Sequence, residues 1–563
     1  MRKAGTAIFV LILSGLGAIA AAPAPKPADQ ARTMEDVIDR VITNENRGNQ
    51  QIRQYSPLVE TYIQNLKPDR ALGYAPAGDK YFLGRADFSK GVSLVSLTDS
   101  NGRGKKIFGS IGNFFSFALQ FLPDGFLQMI FIDTNGFDKQ HYKFDYVRRE
   151  FLGEVRCLVF DVTPSEKSGK GRFLGRIWVE DQDYNIVRFN GAYGGSGHSS
   201  WYFHFDSWRA NVQPGVWVPS FVYSEEKDVH YNLSKKLDFK AQTRLWGYNL
   251  GHASQEQELS KILVETPVQD DTKTANDLTP VQAQRSWDRQ AEDNVIDRLE
   301  RIGLIAPKGE VDKVLETVVN NLEVTNNIDV EPDVRCRVMT TTTLESFTVG
   351  HTIVLSRGLI DVLPDEASLA TIIAHELSHA VLGHRLDSQY AFFDQLLVED
   401  KETFRHFGFA RTPDEEKAAN AKAIQILNNS PYKNQLGNAG LFLAALTSRQ
   451  KEIPNLISPH LGDRVPVIGD LRTSMPVDQK QNPQMVAALP IGGRVKLDPW
   501  TDKLELIKSK PVGTVAEREK MPFEVTPFMP YLVRYGTEAA KPIAASAATS
   551  ADPKTVAGAP NKP

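Results

Sequence analysis

The sequence has few cysteines, no excess of either charge and, beyond its first residues, no apolar run long enough to span a bilayer. With 65 Lys and Arg against 69 Asp and Glu, a nucleic-acid or polyanion partner, which needs a basic surface, is not expected. No CxxC pair or Cys/His cluster surrounds Cys157 or Cys336, which excludes a cysteine-based zinc site there. These two thiols fall in different predicted domains, and the sequence leaves open whether they pair or stay separate and buried.

The N-terminus carries the pattern of an export signal. A basic start is followed by an apolar run from Ala7 to about Ile19 and then by small residues. This pattern predicts a secretory signal peptide over residues 1–22, cleaved after Ala20 or Ala22. A retained anchor is the alternative, but the run is shorter than the roughly 18 to 20 residues that a spanning helix needs. We therefore expect an exported protein, periplasmic or secreted, with no transmembrane span after cleavage.

Residues 23–264 are predicted to form an antiparallel, curved β-sheet domain with an N-terminal helix. The helical pattern covers residues 32–66, where apolar residues share one face. Short runs rich in β-branched and aromatic residues follow over residues 80–250, separated by Gly, Asp and Asn. Within this region, residues 181–183 have the composition of a hairpin tip.

The remainder of the chain changes character three times. Residues 265–285 are polar and predict a linker, whereas residues 286–464 resume helical spacing around a short β stretch. Residues 465–536 mix strand-like pieces, and the Ala/Pro/Ser-rich residues 537–563 predict a disordered tail. The expected fold class is therefore α+β and multidomain, with a curved antiparallel sheet, a mainly helical domain with a small edge sheet, and a mixed C-terminal extension.

The stretch HELSHAVLGH, residues 375–384, carries the clearest chemical pattern. Asp365 fits the N-cap of a helix that contains it. Because residues four apart lie one turn above the other on a helix, His375 and His379 point the same way and can bind one metal ion. Glu376 then lies beside the ion, where a base could take a proton from metal-bound water. This is the H-E-x-x-H zinc pattern, and the alternative is an amphipathic helix with surface histidines.

A catalytic zinc ion needs a third protein ligand and an open position for water. His384 projects from another side of the same helix, so the third ligand is expected to be a carboxylate from a later segment. Glu399 and Glu416 compete for this place. Glu416 is predicted to lie on a helix that begins near Pro413, on the same face as Asn420, which could orient the ligand.

In these motifs the sequence resembles the gluzincin peptidases, the zinc metallopeptidase family that includes the HtpX heat-shock protease, the CAAX prenyl proteases and the BepA-type periplasmic proteases. SRGLIDVLPDEASLATIIAHELSHAVLGH is similar to that family's strand, Gly-Leu-Leu turn and zinc helix, and EKAANAKAIQILNNSPY to its E-x-x-A-D segment. The resemblance covers residues 286–464. It implies one Zn²⁺ per chain, bound by His375, His379 and Glu416, with Glu376 as the catalytic base.

The chain also departs from the family pattern. Asn420 stands where the family has an aspartate, and Glu-Ser-Phe at residues 345–347 stands where many members have Asn-Ala-Phe. A later His-Pro segment is replaced by SPHLGDR. His460 or Arg464 is therefore the candidate for the transition-state role of that segment, the alternative being that both are ordinary surface residues.

Two stretches of the front domain, GRIWVEDQDYNIVRFNGAY and NVQPGVWVPSFVY, are similar to strands of the LolA-type curved sheets that sort outer-membrane lipoproteins. The signal peptide and the family resemblance together imply an exported zinc metalloendopeptidase that hydrolyses unfolded or misassembled envelope proteins, a quality-control role. Its polypeptide substrate would add to a predicted strand at about residues 347–355. The front sheet would bind substrate or an envelope protein or lipoprotein partner. The alternative is a lipid- or lipoprotein-binding protein with a non-catalytic zinc module.

Overall fold

A computed structural model describes most of the chain between residues 33 and 536. The described residues are 33–70, 73–88, 91–97, 123–134, 136–166, 168–169, 171–194, 203–232, 235–248, 280–384, 409, 411–457, 461, 463–464, 491, 495–497, 504–506, 523–527 and 530–536. The predicted signal peptide and tail, Glu399 and His460 lie outside these ranges. Among the helices that are described, none has the length and apolar character needed to cross a membrane.

Ten strands of the described chain form one antiparallel sheet, which confirms the sheet predicted for the front of the chain. The spatial order is β3-β2-β1-β10-β9-β8-β7-β6-β5-β4. The strands are β1 (Leu58–Asp69), β2 (Gly73–Asp87), β3 (Ser93–Ser96), β4 (Tyr142–Leu152), β5 (Val155–Pro164), β6 (Arg172–Glu180), β7 (Ile186–Gly194), β8 (Phe205–Gln213), β9 (Val216–Asn232) and β10 (Lys235–Trp246). Residues 181–183 form the predicted turn between β6 and β7.

The helix predicted over residues 32–66 ends earlier than expected. Helix α1 spans Met34–Gln51, and Thr33 caps it in a capping box with Asp36. Residues from Leu58 onward belong instead to β1, where Tyr62 and Ile63 point to opposite faces of the sheet and are both fully buried. A strand that is covered on both faces lacks apolar and polar alternation, so its apolar residues also fit a helical spacing.

The two faces of the large sheet bury separate hydrophobic clusters. On one face, Val41 of α1 and Phe126 of α2 (Pro123–Gln128) share a cluster with strand residues such as Phe189. On the other face, strand residues such as Trp208 share a cluster with residues of the second half of the chain, including Ile373. The sheet is therefore a layer between α1 and the helical half of the chain, with which it shares this second cluster.

The second half of the chain is mainly helical around a small sheet. Its helices are α3 (Pro280–Arg301), α4 (Glu310–Asn326), α5 (Arg357–Val362), α6 (Glu366–Leu382), α7 (Pro413–Asn428), α8 (Leu436–Arg449) and α9 (Pro454–Ile457). The small sheet has the order β11-β13-β12-β14, with β11 (Arg335–Met339), β12 (Glu345–Val349), β13 (Thr352–Ser356) and β14 (Asp463–Arg464). Helix α3 begins inside the residues predicted as a linker. Two short strands, β15 (Val495–Leu497) and β16 (Leu504–Leu506), pair in the mixed C-terminal extension.

The prediction of a single strand over residues 347–355 is wrong, because this stretch forms a hairpin of two strands. Strands β12 and β13 pair antiparallel, with Val349 opposite Thr352. Gly350 takes a φ of +57° at the tip, a left-handed conformation that favours glycine. The prediction merged two strands because the turn between them is only two residues long.

Cys157 and Cys336 are free, buried thiols in β5 and β11. Burial, reinforced by the negative charge of Glu180, raises the pKa of Cys157 to about 12. Burial also raises the pKa of Cys336, together with the charge of Glu316. Of the two arrangements that the sequence left open, the structure therefore has two separate and unreactive thiols.

A buried ion pair joins the large sheet to the loop that leads into β12. Glu60 accepts hydrogen bonds from Arg244 Nη1 at 3.0 Å and from the backbone N–H and hydroxyl of Thr342 at 2.5 and 2.6 Å. Arg244 Nη1 also donates to the carbonyl oxygen of Thr340 at 3.0 Å. Gly358 lies against the same loop, where a Cβ atom would come within 1.8 Å of the Thr342 carbonyl oxygen. The sheet thus holds the position of the segment from which β12 starts.

Replacing Glu60 by alanine is expected to lower the free energy of unfolding by about 3 to 5 kcal/mol, because it leaves the Arg244 charge buried without its counterion. The shift of the urea unfolding midpoint measures the effect. Asp39→Ala is the matched control, since the Asp39–Lys139 pair is exposed and contributes less than about 1 kcal/mol. Equal, small shifts in both variants would contradict a structural role for the buried pair.

Candidate metal centre

Helix α6, which carries the zinc motif, begins and ends at residues that the sequence marks for these places. Asp365 is its N-cap and accepts a hydrogen bond from the backbone N–H of Ser368 at 2.8 Å, as predicted. Gly383 ends the helix with a φ of +67°. Helices α4, α7 and α8 and strand β12 pack around α6, so its first histidine and glutamate, His375 and Glu376, are fully buried.

Three side chains converge beside this helix. The Nε2 atoms of His375 and His379 lie 3.2 Å apart. Glu416 Oε2 lies 3.2 Å from His375 Nε2, and its Oε1 lies 4.0 Å from His379 Nε2. One ligand atom from each residue lies within 4.8 Å of the others, and all three side chains are buried. The structure therefore brings together the two histidines and the carboxylate that the sequence proposed.

This donor set fits a zinc ion. Zinc with N and O ligands at about 2.0 to 2.2 Å in tetrahedral geometry separates its ligand atoms by about 3.4 Å. Two separations from His375 Nε2, to His379 Nε2 and to Glu416 Oε2, are 3.2 Å and close to this value, and the other Glu416 oxygen, Oε1, lies 4.0 Å from His379 Nε2. Two imidazoles and one carboxylate also make up a known set of three ligands for catalytic zinc, which leaves a fourth position for water.

Helix α7 supplies the carboxylate through its first turn. Thr412 caps the helix in a capping box with Glu415, and Pro413 occupies the first turn, as the sequence predicted for this start. Glu416, Asn420 and Ala423 all lie on the buried face. The small side chains of this face let α7 approach α6 closely, and Asn420 lies near His375, whose pKa it helps to raise.

The pKa values of the two histidines shift in opposite directions in this arrangement. Burial and the positive charge of His375 lower the pKa of His379 to about 2, so this ring is neutral, the form that binds a metal. Burial alone would lower the pKa of His375, but its hydrogen bond with Glu416 and the charge of Glu376 raise it above its usual value. His384 Nδ1 lies 2.9 Å from His379 Nδ1, the ring nitrogen away from the cluster. His384 is thus a partner of His379, outside the group of three converging ligand atoms.

Glu376 contacts two hydroxyl groups of β12. Ser346 Oγ donates to its Oε1 at 2.6 Å. Thr348 Oγ1 lies 2.7 Å from Oε2 and 3.0 Å from the Glu376 carbonyl oxygen. Burial raises the pKa of Glu376, whereas the charge of His375 and these two hydroxyl groups act to lower it. In the sequence, Ser346 stands out only because it departs from the family pattern, and no motif marks Thr348.

Arg411 is a second residue near the centre that sequence reasoning missed. Its Nη2 donates to the carbonyl oxygen of Thr348 at 2.7 Å, on the side of β12 opposite to β13. Its positive charge also contributes to the lowered pKa values of His379 and His384. Arg411 lies in the segment that leads into α7, where no sequence motif marks it.

Three sequence candidates are not placed at the centre. Glu399 and His460 lie outside the described residues. Arg464 is in β14 and lies opposite Glu345 of β12 in the strand register, but its side chain is not described. The geometry therefore supports Glu416 as a ligand without a direct comparison with Glu399.

Comparison with known proteins finds a matching family model and several similar solved structures. Residues 307–451 match the model of Peptidase family M48. None of the curated proteins matches the chain. A crystal structure of an outer membrane lipoprotein-sorting protein domain from Vibrio parahaemolyticus is similar at 10% sequence identity, covering 40% of this chain and 98% of that chain, with a TM-score of 0.18. A TM-score this low carries no argument about the front sheet.

The matched residues include helices α4 to α8, and with them the three converging ligand residues and Glu376. Peptidase family M48 is a family of zinc-dependent metallopeptidases, and the gluzincin resemblance pointed to zinc metallopeptidases as well. Residues 307–451 are therefore similar to Peptidase family M48, and this match supports a zinc metallopeptidase.

Proposed function

We propose that His375, His379 and Glu416 bind one zinc ion per chain and that Glu376 is the catalytic base in the hydrolysis of internal peptide bonds. The observation that supports this most is the convergence of three ligand atoms within 4.8 Å beside a buried carboxylate. Zinc, when bound, polarises the scissile carbonyl and lowers the pKa of a water molecule to about 7.

The protein side chains then have distinct tasks. Glu376 accepts the proton of the attacking water and passes it to the leaving amine nitrogen. His384 fixes the ring of His379 through Nδ1, and Asn420 orients His375. Arg464 and His460 remain our candidates for stabilising negative charge on the carbonyl oxygen. The pairing of β14 with β12 favours Arg464, because its backbone lies beside the proposed substrate strand.

Strand β12 is the proposed site for substrate. One side of it pairs with β13, and among the described residues β14 pairs with its other side at Glu345 and Ser346. The rest of that side is where Thr348 bonds Arg411, so an extended peptide would compete with Arg411 for the Thr348 carbonyl oxygen. Addition of a peptide as a strand reads backbone more than side chains. Weak sequence selectivity and a preference for unfolded chains follow from this mode of binding.

We also propose that the protein is exported and acts on unfolded or misassembled envelope proteins. Support for export comes from the signal-peptide pattern of residues 1–22. The proposed domains are 23–264 and 286–464, joined by the linker 265–285 and followed by the extension 465–536. The front sheet would bind substrate or an envelope protein or lipoprotein. The second candidate function, a lipid- or lipoprotein-binding protein with a non-catalytic zinc module, is favoured only by the resemblance of that sheet to LolA-type strands.

A direct comparison of one substrate protein in two states tests this proposal. A disulfide-bonded protein, offered folded or after reduction and alkylation, is expected to be cut at least about tenfold faster when unfolded, because only an extended segment can pair with β12. Mass spectrometry of the products should find internal cuts at varied sequences. Stepwise loss of terminal residues would contradict endopeptidase action. Bound zinc with no cleavage of any unfolded protein would favour the binding-protein alternative.

A further inference from the structure

We infer that Ser346 and Thr348 are positioning residues that fix the carboxylate of Glu376 for proton transfer. The inference rests on the proposed function of Glu376 as the base. The Ser346 hydroxyl holds Oε1 at 2.6 Å and the Thr348 hydroxyl lies 2.7 Å from Oε2, so each carboxylate oxygen has its own partner.

The alternation of β12 explains why both hydroxyl groups face the helix. Residues 346 and 348 lie on one face of the strand, and Phe347 lies on the other. Phe347 is fully buried and stacks on Phe409 with ring centroids 4.4 Å apart, which prevents the strand from rotating. Ser346 and Thr348 are nearly inaccessible to solvent as well, with exposures of 0% and 1%. The two hydroxyl groups are therefore held towards Glu376 by the packing of the opposite face.

The hydroxyl groups of Ser346 and Thr348 restrict the last torsion of the Glu376 side chain. The last torsion of a glutamate side chain is broad, so a lone carboxylate samples many orientations. The Ser346 and Thr348 hydroxyl groups restrict that freedom. Thr348 has one hydroxyl hydrogen, and both Oε2 and the Glu376 carbonyl oxygen lie within hydrogen-bond distance of its Oγ1, at 2.7 and 3.0 Å. Each carboxylate oxygen still has a second lone-pair position, so the group can accept a proton from water.

The same strand connects the base to the proposed substrate site. The Thr348 side chain contacts Glu376, while its carbonyl oxygen lies on the side of β12 where a peptide would pair. Strand β12 would therefore hold both the substrate and the carboxylate of Glu376, and so would set the distance between them. Positioning of this kind lowers the barrier because small displacements of reacting groups slow catalysis strongly.

The test removes each hydroxyl while keeping the side-chain shape. Ser346→Ala and Thr348→Val are each expected to lower kcat by about tenfold, with KM within about twofold of wild type. Metal analysis should still find zinc near one per chain, because neither residue is a proposed ligand. Thr348→Ser restores a hydroxyl and is expected to recover most of the lost kcat. Thr371→Val is the matched control, since its buried hydroxyl on α6 donates to the Ala367 carbonyl oxygen at 2.9 Å, within its own helix.

Several outcomes would overturn the inference. Wild-type kcat in both Ser346→Ala and Thr348→Val would show that the hydroxyl groups do not position the base. A raised KM or lost zinc with unchanged kcat would assign them to substrate or metal binding instead. If Thr348→Val does not fold, the kcat values of Ser346→Ala and Thr348→Ser are compared with that of the wild type instead. Failure of the proposed function gives a different result from failure of this inference. If Glu376 is not the base, Glu376→Gln keeps wild-type activity, and if the protein is not a peptidase, the wild type has no activity.

Discussion

Replacing Glu376 by glutamine is expected to slow peptide-bond hydrolysis by about 100- to 10,000-fold while zinc remains bound. The amide has nearly the shape of the carboxylate and its oxygen can still accept a hydrogen bond, so the fold around β12 is expected to persist. It cannot take a proton from water at neutral pH. Cleavage of unfolded casein and elemental analysis of the same preparation measure the two quantities together.

A glutamate on the same helix provides the control for this substitution. Glu366 is exposed in the first turn of α6 and accepts a hydrogen bond from the Tyr432 hydroxyl at 2.7 Å, away from the metal centre. Glu366→Gln is expected to keep activity within about twofold of wild type. If Glu376→Gln binds zinc and retains more than about a tenth of wild-type activity, Glu376 is not the base.

Replacing Glu416 by alanine is expected to weaken zinc binding by more than about 100-fold, since even the loss of a residue that only supports a ligand costs 10- to 100-fold. Activity at limiting zinc should be lost with it. Competition with a chromophoric chelator measures the affinity. We expect zinc binding to weaken because, without Glu416, the described residues offer only the imidazoles of His375 and His379 as ligands at the metal centre.

Two further variants make this result decisive. Asp414→Ala changes an exposed acidic residue in the same first turn of α7, and we expect zinc affinity to stay at the wild-type value. Glu399→Ala tests the other carboxylate that the sequence left open. Loss of zinc in Glu399→Ala with full retention in Glu416→Ala would overturn the ligand assignment and move the third ligand to the segment after α6.

The local parts of the centre were predictable from the sequence because they depend on one helix. The spacing of His375 and His379 and the N-cap at Asp365 follow from helical geometry and capping chemistry, and the structure has the same arrangement. The start of α7 was predictable for the same reason. The choice between Glu399 and Glu416 was not, because it depends on how α7 packs against α6, and packing between distant segments leaves no local pattern.

The contacts of β12 with Glu376 could not be predicted from the sequence, for a related reason. Whether Ser346 and Thr348 reach Glu376 depends on the register and tilt of a strand against a helix thirty residues later in the chain. Residues 347–355 read as one strand because Gly350 alone marks the tight turn. The error at β1 has another origin, since a strand covered on both faces shows no alternation.

The position of the front sheet suggests how it affects the metal centre. Glu60 and Arg244 bind the loop at Thr340 and Thr342, and β12 begins three residues after Thr342. Hydrophobic clusters also cross from the sheet into the helical region. The sheet is therefore part of the support of β12, the proposed substrate strand.

The most direct measurement is the zinc content of the purified full chain after chelator treatment and equilibration with excess zinc. We expect close to one zinc ion per folded wild-type chain and far less in a variant with His375 and His379 both replaced by alanine. A chain that folds normally, by its circular dichroism and unfolding midpoint, yet retains no transition metal after that equilibration would contradict a metal site at His375, His379 and Glu416.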